Sequence, residues 1–174
     1  MGDLVLGATE RGICFLQFRE NGISPELTVR DAFNGTVDLA PQASDLISSW
    51  INEISAYLRG DVFTLRVPLD VTGTSFQVAV WDFLQAIPRG ATMSYQAVAR
   101  GIERPSAIRA VANACASNRV AILIPCHRVV RENGDLAGYR WGLERKRALL
   151  ALESCRNRSI HPCAGELTGE SVSL

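Results

Sequence analysis

The sequence predicts an α+β protein: a small N-terminal α/β unit built on an antiparallel sheet, followed by a mainly helical half that contains a helix-turn-helix. Three observations carry this. Two short runs rich in Val, Ile, Leu and Phe flank a tight turn near the start. Apolar residues recur at helical spacing over 43–58 and again over 76–87. Two short helix-like segments with a glycine- and proline-containing turn between them occupy 94–116.

Taken in order, Leu4 to Ala8 and Gly12 to Phe18 read as strands around Glu10-Arg11-Gly12. Ser24 to Phe33 reads as a helix capped by Ser24, with Pro25 at its first position and Asn34-Gly35 at its end. Ala43 to Leu58 is a stronger helix, with Leu46, Ile47, Trp50, Ile51, Ile54 and Leu58 on one face and Gly60 just beyond. Phe63 to Val67 alternates like a strand and stops at Pro68. After a link over 70–73, Thr74 or Ser75 caps a helix bearing Phe76, Ala79, Val80, Phe83, Leu84 and Ile87, which Pro88-Arg89-Gly90 ends. A helix over Ser94 to Arg100 follows, with Ser94 as its cap. Ser106 then caps a second, Ala107 to Ala116. Arg131 to Asp135 is a hairpin turn signal, Leu136 to Gly142 a glycine-punctuated loop. The last helix, Leu143 to Glu153, carries Lys and Arg on one face and Leu149, Leu150 and Leu152 on another. The domain boundary falls near 69–74, giving a scaffold over 1–72 and a second domain over 73–154. The tail, 155–174, lacks periodicity and is expected to be flexible.

Composition excludes several classes. No stretch has the roughly 18 uninterrupted apolar residues of a membrane span, and no secretory signal opens the chain. Five cysteines without paired spacing suit free thiols in a reducing compartment, so the expected location is the cytosol. The net charge is zero but unevenly spread: residues 1–88 carry 5 basic and 11 acidic groups, residues 89–150 carry 11 and 4. Such an asymmetry fits a polyanion partner for the second half, and equally two domains that attract each other.

Chemistry concentrates at Pro125-Cys126-His127-Arg128, just after the apolar run Val120 to Ile124. Pro125 lacks a donor and fixes φ, so the segment is short and stiff. A cysteine beside a histidine is a candidate nucleophile and base, or a buried, inert thiol next to a histidine. The helix Ala107 to Ala116 has one arginine and a small-residue face made by Ala112, Asn113, Ala114 and Ala116. It lacks the long polar side chains that read the major groove, and suits a minor groove or a packed core.

Pro125-Cys126-His127-Arg128-Val129, Ser94-Tyr95-Gln96, Arg109-Ala110-Val111, Asn118, Gly138-Tyr139 and Arg140-Trp141-Gly142 together resemble the O6-alkylguanine-DNA alkyltransferases (methylated-DNA–protein-cysteine methyltransferases). Within that family the likeness is nearest to the carboxy-terminal methyltransferase domain of bacterial adaptive-response proteins. Arg109 stands 17 residues and Asn118 8 residues before Cys126, with Glu153 27 after it. The likeness runs to about Glu153, weakly before residue 70 and strongly from Gly73.

The resemblance implies a ribonuclease-H-like sheet in the first domain and a winged-helix-like second domain. It implies a suicide reaction, in which Cys126 takes the methyl group of O6-methylguanine, and possibly of O4-methylthymine, and is consumed. His127 would act as base through a water, Glu153 would orient the imidazole, and Asn118 would hold the turn before the cysteine. Arg128 would pair with a buried carboxylate. Tyr95 and Arg109 would rotate the nucleotide out and fill the gap it leaves, Ser94, Ala110 and Asn113 lying against the DNA. Val129, Tyr139, Arg140, Trp141 and Cys115 would form the base pocket, with Trp141 narrowing its rim so that methyl is accepted faster than benzyl. The partner would be duplex DNA approached from the minor groove, by a monomer in the bacterial cytosol. No cofactor and no metal are expected, since the first half offers Cys14 but no histidine. The N-terminal zinc and regulatory portion of adaptive-response proteins is lacking, so no transcriptional role is expected. Cys126 argues against a lesion-binding protein without chemistry. A cysteine hydrolase would leave Arg109 unexplained, and a DNA-binding regulator would need a more polar recognition helix.

Overall fold

A computed structural model of the chain describes residues 2–19 and 44–154, with 22, 24, 29, 30 and 33 between them. The expected helix over 24–33 and the tail lie largely or wholly outside the described residues. The architecture is α+β, with five helices and a small antiparallel sheet among the described residues.

Strands β1 (Leu4–Thr9) and β2 (Gly12–Phe18) form the antiparallel pair, Leu4 opposite Phe18, with a register shift at Gly7/Ala8. β2 is buried along almost its whole length, because both of its faces are covered. Helix α1 (Asp45–Arg59) starts at Ser44, whose hydroxyl accepts from the Ile47 N–H. It ends at Gly60, which takes the left-handed conformation, φ 82°, that favours glycine. Its buried face is Trp50, Ile54 and Tyr57.

The expected strand over Phe63 to Val67 does not form. The Arg66 N–H is taken by the Glu53 carboxylate of α1 instead of by a ladder partner. The chain meets β2 only afterwards, where Ile13 donates to Pro68 O (2.9 Å) and Asp70 donates to Ile13 O (3.0 Å). Alternation marked an extended segment here, and a side chain from a helix used up the donor a strand needs.

Thr74 caps α2 (Ser75–Gln85) in a reciprocal capping box with Gln77. Ser94 caps α3 (Tyr95–Gly101), accepting from the Ala97 N–H. α4 (Ile108–Ala116) begins behind Ala107 with no side-chain cap. Ser106 is therefore not its cap: Ala107 donates to Arg104 O (2.8 Å), and that turn places Ser106 one residue too early. α5 (Leu143–Ser154) closes the described chain. Its buried face is Lys146, Leu149 and Glu153, so the lysine expected on the polar face points inward.

One apolar cluster joins β2, α1, α2, α4, α5 and the segment 120–129. Two links hold that segment. Leu16 of β2 donates through its N–H to Arg119 O (2.9 Å) and accepts from the Ala121 N–H (2.7 Å). On its far side β3 (Met93–Ser94) pairs in parallel with β4 (Val129–Val130). The turn over 131–135 closes with Arg131 donating to Asp135 O (2.9 Å), but among the described residues no returning strand pairs with β4.

Candidate active site

The cysteine segment is held from three directions before any side-chain chemistry is considered. Apolar residues Val120, Ala121, Ile122 and Ile124 bury it, β2 grips its start, and β3 pairs beyond its end. Ile122 takes φ 71°, a costly conformation for a β-branched residue. Asn118 brackets that strained turn. Its amide oxygen accepts from the Val120 N–H (2.8 Å), and its amide nitrogen donates to Ile124 O (3.0 Å) and to the Cys126 sulfur (3.2 Å). Cys126, His127 and Arg128 then make a single 3₁₀ turn behind Pro125.

Cys126 is 4% exposed. Burial pushes its thiol up to about 11, against the opposing pull of the Asn118 bond and the Lys146 charge. At neutral pH it is therefore held as the thiol. His127 is wholly buried, and its Nε2 meets Glu153 Oε1 at 2.8 Å. An ionised carboxylate only accepts, so Nε2 carries the proton and Nδ1 keeps a lone pair. Nδ1 is buried and has no partner among the described residues. Burial lowers the histidine from its ordinary value, against the opposing bond and charge of Glu153, so the ring is neutral near pH 7.

Glu153 is the hub. Oε1 takes His127, the Tyr57 hydroxyl (2.6 Å) and Arg128 Nη2 (3.0 Å); Oε2 takes Arg128 Nε (2.9 Å) and the Gly90 N–H (3.4 Å). Burial alone would raise this carboxyl, but the donors outweigh it and hold the group well below the usual carboxylate range. Arg128 also donates to Ile87 O.

Around this cluster the remaining candidates divide into two sets. Tyr95, at the start of α3, is half-buried, and its phenol is pushed up to about 12 by burial and by the charges of Cys115 and Cys126. Cys115 and Val129 are buried in the same core. The Tyr139 ring stands edge-on to His127, centroids 6.4 Å apart. Arg109, Ala110 and Asn113 lie exposed along α4, away from the relay, while Ser94 is spent capping α3. Arg140 is exposed and donates to Ala116 O (3.3 Å), tying its loop to the end of α4. Trp141 is 5% exposed, packed against Phe18 and Tyr139 (centroids 6.1 and 5.0 Å), deeper in the core than its place in the loop suggested.

Two polar residues escaped the sequence reading. Tyr57 reaches Glu153 from α1, 96 residues away. Lys146 is wholly buried and donates to Val129 O (2.6 Å) and Ala137 O (3.3 Å). It is the chain's one lysine among 18 basic residues, which was the available signal.

The sequence model of the family described as 6-O-methylguanine DNA methyltransferase, DNA binding domain, matches residues 75–155. The bifunctional transcriptional activator/DNA repair enzyme Ada of Escherichia coli is 43% identical over 154 residues, 88% of this chain. The chain spans 43% of that relative's length. The inducible methylated-DNA–protein-cysteine methyltransferase of Bacillus subtilis is 40% identical over 149 residues, 85% of this chain and 82% of the relative. The crystal structure of Mycobacterium tuberculosis OGT in complex with DNA is similar with a TM-score of 0.74 and 38% identity, over 88% of this chain and 87% of that one.

Proposed function

The chain belongs to the methylated-DNA–protein-cysteine methyltransferase family, and on that premise we propose that it repairs O6-methylguanine in duplex DNA by moving the methyl group, once, onto its own Cys126. O4-methylthymine is a second candidate substrate. One observation carries the reading: a buried thiol bonded by Asn118 sits next to a neutral imidazole whose other nitrogen is fixed by Glu153.

The chemistry follows from that arrangement. A thiol held near 11 is a poor nucleophile at neutral pH, so its proton must leave before or during attack. His127 Nδ1 has the free lone pair to take it, through one bridging water. Glu153 stabilises the imidazolium that results, and Arg128 balances the carboxylate. The sulfur then attacks the methyl carbon. The S–C bond forms, the C–O6 bond breaks with its electron pair going to O6, and a proton restores guanine. The product is a thioether, so the protein acts once.

A base inside a duplex must leave the stack to reach a thiol buried this deeply. The exposed small-residue face of α4 supports a close minor-groove approach, with Arg109 filling the vacated space and Asn113 and Ala110 against the backbone. Tyr95, which directly follows the strand β3 that pairs with β4, would turn the nucleotide inward, and Val129, Tyr139 and Arg140 would surround the base. The likeness to a DNA-bound relative supports DNA as the partner. The finer fold reading goes with it, a ribonuclease-H-like scaffold over 1–72 and a winged-helix-like domain over 73–154, working as a cytosolic monomer.

The test is direct. Incubated with a duplex carrying a radiolabelled methyl on guanine O6, the protein takes up one label per chain. Cys126→Ala takes up none and still binds the duplex. Absence of protein-bound label with the unaltered chain sinks the proposal.

A further inference from the structure

Tyr57 is a fully buried phenol from the scaffold half whose hydroxyl ends on the oxygen that also holds the catalytic imidazole. We propose that Tyr57 is a positioning residue of the proton relay: by donating to Glu153 Oε1 it limits the pull of that carboxylate on His127 and so keeps the imidazole neutral and ready to accept. This deepens the repair reading above and rests on it.

The geometry supports a tuning role as well as a packing one. Oε1 shares its charge among His127, Tyr57 and Arg128, whereas Oε2 has Arg128 and a long bond from Gly90. Tyr57 is itself fixed: its oxygen accepts from Arg128 Nη2 (3.1 Å), and the Arg89 guanidinium lies over its ring at 4.4 Å. Arg89 is anchored in turn by donating to Val62 O (2.8 Å) and to Leu152 O (3.3 Å), the residue before Glu153. The phenol donor is therefore aimed by groups from both halves of the chain.

His127 also faces Arg128 on its own turn, Lys146 and Glu153 of α5, and the Tyr139 ring from the loop before α5. Of these, Arg128 and Lys146 favour the neutral ring and Glu153 favours the charged one. Removing the Tyr57 donor concentrates charge on Oε1, strengthens its hold on a protonated imidazole, and raises the proton affinity of His127.

The experiment uses the full chain with labelled histidine, read by NMR titration. The chain has two histidines, and His161→Gln assigns the other. In Tyr57→Phe, which keeps the ring, the His127 titration moves up by about half a unit to one unit, a roughly three- to tenfold gain in proton affinity. The acid limb of the methyl-transfer rate against pH moves up by the same amount. A 3-fluorotyrosine placed at 57 alone, a stronger donor, moves both the other way and covers the case in which the phenylalanine variant fails to fold. A purely structural tyrosine would lower stability and leave the titration where it was; an unmoved His127 in either variant overturns the proposal. The titration needs no methyl transfer, so its failure is distinct from a failure of the repair reading, which would show as no label uptake by the unaltered chain.

Discussion

Two regions of the molecule handle polarity in opposite ways. Beneath α5, Cys126, His127, Arg128, Lys146 and Glu153 are buried together with Asn118, and nearly every polar atom among them is matched by another. Along α4, Ile108, Arg109, Ala110, Asn113 and Ala116 are exposed, and the helix starts without a side-chain cap. In the first region the low dielectric makes each pairing strong and each orphan costly, so function and stability share the same atoms. In the second, water satisfies the polar groups, so residues there are free to be chosen for contact with another body. Substitutions should therefore couple stability to activity under α5 and separate them on α4.

The largest effect is expected from Glu153→Gln. It leaves Arg128 buried without its charge partner, a loss of about 3–5 kcal/mol. It also weakens the imidazolium, slowing methyl transfer by about 10²–10⁴-fold. Denaturant melts and single-turnover label uptake measure the two together; a slow but fully stable variant would break the coupling. Asn118→Ala comes next. It removes two buried side-chain-to-backbone bonds that hold the strained turn at Ile122, at a cost of about 2–4 kcal/mol by urea denaturation.

Acidification should expose the same coupling in two stages. Burial holds folded His127 below its ordinary 6.5, so below that pH the unfolded chain binds a proton that the folded one refuses, and stability starts to fall. The Glu153 contribution is fully present above 4.5 and is lost as pH drops further, through its own low folded value. Each proton costs at most about 1.4 kcal/mol per pH unit. His127→Gln should flatten the first stage and Glu153→Gln the second in unfolding curves collected from pH 7.5 to 3.5. The smallest stability effect is on α4: Arg109→Ala should shift Tm by no more than about 2 °C. Repair of the duplex should still fall about tenfold or more, with reaction toward free O6-methylguanine unchanged. Equal losses on duplex and free base would sharpen the comparison against a DNA-contact role for this face.

The candidate site was legible where the sequence is local. Pro125-Cys126-His127-Arg128, and Asn118 eight residues earlier, lie within one short loop, so their spacing constrains their geometry. Thr74 and Ser94 were legible as a cap candidate and a cap for the same reason, since a cap is a bond across three residues. Where reading failed, a distant partner had intervened. Phe63 to Val67 alternates, yet Glu53 of α1 takes the backbone donor. Trp141 adjoins the expected pocket in sequence, yet Phe18 of β2 draws it into the core.

By itself the sequence determined the helices and the first strand pair, through periodicity and caps, and singled out Cys126 as the candidate nucleophile, through a compact motif. Tertiary structure alone decided the protonation state of Cys126 and of His127. Burial raises the thiol and lowers the imidazole, and burial is a property of everything packed around a residue. It alone turned Lys146 inward, because an ammonium on a helix faces water unless carbonyls from elsewhere, here Val129 and Ala137, replace its hydration. It alone brought Tyr57 to Glu153, a contact that no local spacing encodes, because it exists only once α1 has packed against α5.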